Sequence, residues 1–159
     1  MTTAFPYPAE ENGYLADHVQ LLRSSLRALT GRDLPEQDCP PAEAARRIFH
    51  APFALLSHNT AADPVLTYGN CTVLDLFELT WEELTVMPSR YTAEALEREE
   101  RARLLERVTA HGFIDDYAGV RISKHGRRFR IEQATVWNLT DAQGIFCGQA
   151  AMFANWTFL

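Results

Sequence analysis

The segment from Asp63 to Glu83, DPVLTYGNCTVLDLFELTWEE, constrains the fold of this chain more than any other. Pro64 to Tyr68 is predicted to be a short edge strand, because proline lacks the N–H that a central strand would use. A Gly-Asn turn leads directly into a predicted short helix from Cys71 to Phe77. Thr80 and Glu83 then have the spacing of a capping box, which predicts the start of another helix. Few small domains place a strand, a turn and two helices within so short a segment.

The rest of the chain changes from helical periodicity to strand alternation toward its C-terminus. The order of the elements predicts an α+β domain with a five-stranded antiparallel sheet and short helices on one face. Residues 1–50 are expected to form an N-terminal helical extension, and residues 51–159 the domain that contains the sheet. The predicted elements outside the segment above are two helices, a strand, a long helix and a three-strand meander: 12–30, 41–50, 53–58, 93–111, 113–123, 127–139 and 145–158.

Length and composition indicate an ordinary globular chain rather than a specialised one. Its 159 residues are 47% hydrophobic and 23% charged, which is typical of a single domain. The net charge of −6 argues against non-specific nucleic-acid binding, and the chain lacks an apolar run of the ~20 residues that a membrane span needs. Three scattered cysteines and the lack of a signal-peptide pattern favour a reducing, cytoplasmic location.

An apolar seam on the first predicted helix has two interpretations. Its spacing is of the a/d type, but it is only about two heptads long, so no free-standing coiled coil is implied. The helix either packs on its own domain or packs on a partner. The outer sheet face is likewise covered either by the N-terminal helices of the same chain or by a second copy of the protein. A homodimer is therefore expected through the outer sheet face or through the seam, which consists of Leu15, Val19, Leu22, Leu26 and Leu29.

Four segments carry a resemblance to a known family: LSHNTAADPVLTYGN (56–70), PSRY (88–91), GVRISKHGRRFRI (119–131) and ATVWN (134–138). The element order and the Lys-x-Gly hairpin resemble a PAS domain, and over about residues 48–156 the segments resemble the MEKHLA family. That family is a PAS-like domain of some plant homeodomain–leucine-zipper transcription factors and of stand-alone bacterial and algal proteins. The chain is expected to be of the stand-alone type, without a transcription-factor role. The resemblance implies a sensory or interaction role, and it implies neither an agreed ligand nor a catalytic set.

Neither flavin nor haem is favoured as a cofactor, and the cofactor stays unassigned. A flavin photosensor of the LOV type needs a reactive cysteine in a GxNCRFLQ-like helix after the fourth PAS element. Cys71 instead follows the second strand directly, in the sequence Cys-Thr-Val-Leu-Asp. His111, at the end of the long helix, is a candidate haem ligand, but a histidine there is also explained by the helix dipole. The sequence contains no GxSxG, P-loop or GxGxxG motif, and its histidines are too dispersed to predict a metal site.

Polar residues within the predicted core form the candidate ligand site. Apolar walls with a few convergent polar groups are typical of small-molecule pockets. The alternative is that these groups satisfy one another and the backbone. Gln133, Thr135 and Trp137 are expected on the same strand face as Phe129 and Ile131. The candidate ligand-binding residues are His58, Asn59, Tyr68, Arg90, Tyr91, Tyr117, Arg121, Gln133, Thr135, Trp137 and Gln149.

Arg90, in the PSRY segment, is the single residue best suited to contact a ligand. Its guanidinium can bind a carboxylate or a phosphate through two N–H groups. The alternative is an ion pair within the chain, with Asp63, Asp75 or Glu94 as the partner.

Three functions from different classes are compatible with these patterns. The favoured one is a PAS-like sensory or regulatory module that binds a small organic ligand with an anionic or polar group and signals through its N-terminal helices or a dimer surface. The second is a ligand-free interaction module that forms a homodimer or binds another protein. The third is a small α+β enzyme with His58 and Asp63 as an acid/base pair, which only their proximity in the sequence supports. The prediction is that the chain is not an enzyme.

Overall fold

The computed structural model of the protein describes residues 5–34, 39–93 and 95–159. Short 3-10 turns, at Glu10–Leu15 and Ser89–Thr92, precede the first and the last helix. The helices are α1 (Ala16–Thr30), α2 (Pro41–Phe49), α3 (Cys71–Phe77), α4 (Trp81–Leu84) and α5 (Ala95–His111). The strands are β1 (Ala54–His58), β2 (Leu66–Gly69), β3 (Phe113–Ile122), β4 (Arg128–Thr140), β5 (Phe146–Phe153) and β6 (Asn155–Phe158).

The strands form one antiparallel sheet in the order β2-β1-β5-β4-β3, and β6 also pairs with β4. The predicted α+β fold with an antiparallel sheet is therefore confirmed, and β2 lies at the predicted edge. The closing strand expected over 145–158 is divided at Ala154 into β5 and β6. Both parts lie beside β4, β5 along Thr135–Thr140 and β6 along Phe129–Glu132.

The backbone of β4 is kinked at Gln133, between these two pairings. Gln133 is exposed and has a φ of 54°, a left-handed conformation that is uncommon for a residue other than glycine. The kink reverses which side chains face which side of the sheet. Phe129 and Ile131 share a core with Ala134 and Val136, whereas Trp137 faces the opposite core. The predicted common face of Gln133, Thr135 and Trp137 with Phe129 and Ile131 is wrong, because strict alternation holds only along an uninterrupted strand.

The sheet separates two hydrophobic cores. The inner core lies between the sheet and helices α3 and α5, and it contains Val73, Phe77 and Val108. The outer core lies between the sheet and helices α1 and α2, and it contains Ile48 and Trp137. The sheet is therefore covered on both faces at its centre within one chain.

Helix α1 covers the outer face of β4 in the same chain. The indole Nε1 of Trp137 donates to the Leu22 carbonyl at 3.1 Å, and Ser25 Oγ donates to the Thr140 carbonyl at 3.3 Å. Leu29 is 36% exposed, whereas the other seam residues are buried against the sheet: Leu15, Val19, Leu22 and Leu26. The predicted use of these four residues as a dimer surface is therefore wrong, because their side chains already belong to the outer core.

A histidine side chain lies between α1 and the sheet, where its contacts with the described residues are all to neutral groups. His18 Nε2 is 3.0 Å from Ser57 Oγ, and Ser57 Oγ is 2.8 Å from Thr67 Oγ1. The imidazole ring of His18 also contacts the rings of Phe5 and Tyr68. Burial lowers the pKa of His18 to about 4. The neutral imidazole is therefore the form that the fold accommodates.

This environment predicts an acid-labile contact between α1 and the sheet. The unfolded chain takes up a proton at His18 below about pH 6.5, whereas the folded chain does so only near pH 4. The contribution of His18 to the unfolding free energy is thus fully present above pH 6.5. It is lost progressively as the pH drops from 6.5 to 4, and it does not change further below pH 4. Between pH 7 and pH 4.5 the unfolding free energy should fall by about 2 kcal/mol less in His18→Asn than in the unaltered chain, as measured by urea denaturation. Equal losses in both proteins would contradict this prediction.

Candidate functional site

A small cavity lies in the inner core, between the sheet and the elements that cover it. Its volume is about 50 Å³. Its walls are mostly apolar, and four of the candidate residues line it: His58, Tyr117, Arg121 and Gln149. The apolar lining residues include Leu56 and Leu66 from β1 and β2, Phe77 from α3, Leu104 from α5, and Ile131, Val136, Ala151 and Phe153 from β4 and β5.

The volume of the cavity limits what it holds in this conformation. A cavity must have at least ~10–15 Å³ to hold one water molecule, whereas ligand pockets typically measure ~300–1,000 Å³. A cavity of about 50 Å³ therefore has room for a few water molecules. An organic ligand requires the surrounding elements to move apart.

Tyr117 and Arg121 form a polar pair on the cavity wall contributed by β3. Arg121 is 8% exposed, and its Nη2 donates to Tyr117 Oη at 2.8 Å. Gly119 lies between them, and a Cβ at this position would be 2.5 Å from Tyr117 Oη. The glycine thus lets the tyrosine ring lie flat along β3 until its hydroxyl reaches the guanidinium. Because a guanidinium only donates, Tyr117 Oη accepts this bond and keeps its own proton for another acceptor.

Gln149 stands at the other end of the cavity, in a relay of amide groups. Its Nε2 donates to Asn138 Oδ1 at 2.9 Å, and Asn138 Nδ2 donates to the Val108 carbonyl of α5 at 3.3 Å. The carbonyl only accepts, so it fixes the orientation of both amides. Gln149 is 5% exposed, and its Oε1 is buried without a hydrogen-bond partner among the described residues.

His58 lines the cavity at the end of β1. Its Nδ1 is 2.8 Å from the Asn59 carbonyl, which makes Nδ1 the protonated nitrogen because the carbonyl can only accept. Asp63, its suggested partner in an acid/base pair, binds Arg90 instead. The contacts described for these residues therefore do not bring His58 and Asp63 together.

Arg90 and its neighbours lie on an exposed loop outside the cavity. Arg90 Nε is 3.1 Å and 3.2 Å from the two carboxylate oxygens of Asp63, and its guanidinium stacks on the exposed ring of Tyr91. The ion pair that was the alternative for Arg90 is therefore present, with Asp63 as the partner. Asn59 stabilises the same loop, because its Oδ1 accepts from the backbone N–H groups of Ala61 and Val65. A ligand-binding role for these residues stays a prediction that the cavity does not support.

The remaining candidates lie on the outer face or at the surface. Tyr68 and Trp137 belong to the outer core, and Arg32 Nη1 donates to Thr135 Oγ1 at 3.2 Å beside α1. Gln133 is exposed at the kink of β4. The structure thus brings together four of the eleven candidates and disperses the others. Sequence reasoning missed Asn138, whose only signal was a polar residue inside an apolar strand.

The positions of the cysteines and of His111 do not fit the cofactor chemistry considered above. Cys71 packs beside the outer core, where burial raises the pKa of its thiol and disfavours the reactive thiolate. Cys147 also packs against the outer core, and neither Cys39 nor His111 lines the cavity. Within the described residues there is no group of three or more His, Cys, Asp or Glu side chains that could hold a metal ion. Among the described helices, none is long and apolar enough to span a membrane.

Comparison with known proteins identifies what this chain resembles. The family model described as the MEKHLA domain matches residues 16–158, a range that includes α1 and α2. The homeobox-leucine zipper protein HOX29 of Oryza sativa subsp. indica is 31% identical over 116 residues, which are 72% of this chain and 13% of that protein. The homeobox-leucine zipper protein ATHB-14 of Arabidopsis thaliana is 36% identical over 104 residues, 65% of this chain and 12% of that protein. The chain thus spans a small part of the length of these relatives, which give no support to the expected stand-alone type.

Solved structures confirm the fold. The PAS domain of a protein from Colwellia psychrerythraea superposes with a TM-score of 0.60 at 12% identity, covering 74% of this chain and 94% of that one. The structure of an RNA-binding light-oxygen-voltage receptor superposes with a TM-score of 0.61 at 16% identity, covering 73% of this chain and 36% of that one. At these identities the likeness establishes the PAS-type architecture.

Proposed function

This chain belongs to the MEKHLA domain family, and we propose that it is a PAS-type sensory or regulatory module that binds a small organic ligand in its inner cavity. The observation that carries this proposal is the composition of the cavity walls. Apolar side chains surround a guanidinium, Arg121, with its hydrogen-bond partner Tyr117, and an amide, Gln149. Buried polar groups of this kind are costly to the fold, and they are typical of sites that recognise a ligand.

Binding would act by shifting the population of two packings. Because the cavity is small, a ligand favours a state in which α5 or the Ser89–Thr92 turn lies farther from the sheet. No covalent chemistry is needed for this response, and we propose that the chain is not an enzyme.

Strand β4 offers a route from the cavity to the N-terminal helices. Val136 lines the cavity, whereas its neighbour Trp137 faces the outer core and donates to the Leu22 carbonyl of α1. A displacement of β4 at Val136 therefore also displaces the contact that holds α1. The signal would leave the domain through α1 and α2.

Mass spectrometry of the purified protein after denaturation tests this proposal. We expect a stoichiometric small organic compound, and we expect Ala151→Leu, which adds a larger side chain to the cavity wall, to lose it. The matched control is Thr157→Leu, which introduces the same side chain at an exposed position of β6 and should retain the compound. Ligand at about 100 times its Kd should add about 2.7 kcal/mol to the stability of the chain and nothing to Ala151→Leu. A compound that is equally retained by Ala151→Leu would place binding elsewhere.

A ligand-free dimerisation module is the second candidate. Helix α1 contacts β4 at Trp137 and Thr140, and Arg32, just after this helix, contacts Thr135. The exposed side chains of Arg128 and Arg130 mark the half of the outer face that α1 leaves open. Val120 and Ile122, which are opposite these arginines in β3, are only partly buried. A folded protein that carries no compound and sediments as a dimer would favour this candidate.

The three free cysteines of the chain fit a reducing compartment such as the cytoplasm.

A further inference from the structure

Two of the polar groups that line the cavity, the Arg121–Tyr117 pair and Gln149, lie at opposite ends of β4. Arg121 belongs to a part of β3 that pairs with β4 at Phe129, whereas Gln149 of β5 pairs with Asn138. The apolar residues Ile131 and Val136 lie between these levels and line the same cavity. The cavity therefore has a polar group at each end with apolar side chains of β4 between them, and His58 of β1 lies beside Gln149.

The β3 end offers donors. Arg121 keeps its positive charge whatever else the guanidinium contacts, and Tyr117 Oη accepts from Arg121, so its own O–H is a donor. A positive charge beside a second donor is suited to an anionic acceptor, of which the carboxylate is the commonest in small metabolites.

The β5 end offers an acceptor. The Val108 carbonyl orients Asn138, and Asn138 orients Gln149, so that Gln149 presents Oε1 rather than its NH₂ group. This oxygen is buried and lacks a partner among the described residues. A buried acceptor without a partner destabilises the fold, so an O–H or N–H group placed against it is favoured.

We propose that the ligand is a small carboxylic acid with an apolar body and an O–H or N–H donor at the end remote from its carboxylate. This inference rests on the proposed function, and it assigns Arg121 and Tyr117 to the carboxylate and Gln149 to the distal donor. Gln149 is then a specificity-determining residue, because a ligand without the donor leaves Oε1 unpaired.

Three related probes test the proposal on the unaltered chain by isothermal titration calorimetry. They are para-hydroxyphenylpropanoate, which has both groups, phenylpropanoate, which lacks the donor, and para-hydroxyphenylpropanamide, which lacks the charge. We expect the first to bind about tenfold more tightly than either of the others, the factor that one hydrogen bond contributes. Equal binding of the first two would overturn the role of Gln149.

Variants locate the effect. In Gln149→Leu the affinity ratio of para-hydroxyphenylpropanoate to phenylpropanoate should fall from about tenfold to about one. In Arg121→Met para-hydroxyphenylpropanoate and para-hydroxyphenylpropanamide should bind equally. Gln143→Leu makes the same substitution in the exposed turn between β4 and β5, and it should leave both preferences intact. Should Gln149→Leu not fold, the comparison of probes on the unaltered chain still decides the proposal.

The outcome also distinguishes this inference from the function on which it rests. A compound retained by the purified protein, together with no measurable binding of the three probes, would overturn the ligand class and leave the sensory function standing. Neither a retained compound nor binding of any probe would overturn both.

Discussion

Replacing Asn70 by alanine is expected to reduce the unfolding free energy by about 4 kcal/mol. Asn70 is completely buried, and its Oδ1 accepts from the backbone N–H groups of Leu55 and Val73, both at 3.2 Å. Its Nδ2 donates to the carbonyls of Ile48 and Phe53, at 3.0 Å and 2.8 Å. One side chain thus joins the end of α2, the start of β1 and the first turn of α3. Removing it leaves buried donors and acceptors unpaired, and each such group costs about 1–3 kcal/mol.

Asn59→Ala is the matched control for Asn70→Ala. Its Oδ1 also accepts from two backbone N–H groups, those of Ala61 and Val65, but within a loop that water can reach. Water replaces the lost bonds there, so we expect a loss of about 1 kcal/mol. Urea denaturation of the three proteins at pH 7 gives the comparison. If the two substitutions cost the same, the joining role of Asn70 is refuted.

The second large effect is expected from Leu22→Asp, which places a charge in the outer core. Leu22 is 1% exposed against Trp137, and its carbonyl accepts the indole N–H. A buried carboxylate without a partner must either be protonated or be released to water, so we expect a loss of at least about 4 kcal/mol or release of α1 from the sheet. Urea denaturation measures the first outcome, and circular dichroism with limited proteolysis of α1 measures the second.

Leu29→Asp provides the comparison on the same helix. Leu29 is 36% exposed, so the same change should cost less than about 1 kcal/mol. The pair also tests where the seam is buried. If Leu22→Asp kept its full stability but converted a dimer to a monomer in sedimentation, the seam would be buried between two chains rather than within one.

The elements of the fold were predictable because their signals are local. The helix from Cys71 to Phe77 has the predicted bounds, since Asn70 accepts from the Val73 N–H at its start. The capping box of Thr80 and Glu83 is present, because each side chain accepts from the backbone N–H of the other residue. These interactions span three residues, so the sequence contains both partners side by side.

The candidate site was less predictable because its geometry depends on distant contacts. Strand alternation placed Gln133, Thr135 and Trp137 with Ile131, but the left-handed backbone at Gln133 reverses the faces. No sequence signal marks that conformation, which glutamine seldom adopts. Asn138 was missed for a related reason, because its role depends on α5 supplying the Val108 carbonyl from a position 30 residues away.

The kink at Gln133 also has a mechanical consequence. Between Glu132 and Thr135 no residue of β4 pairs with β5 or β6 in the described register, and Ala154 interrupts the opposite strand at the same level. On the other side of β4, the ladder with β3 crosses this level through the pair Tyr117–Ala134, but its register shifts on both sides of that pair. A tilt of the half of β4 that lies against α1 must therefore either carry β3 with it or bend β3 at the same irregular pair.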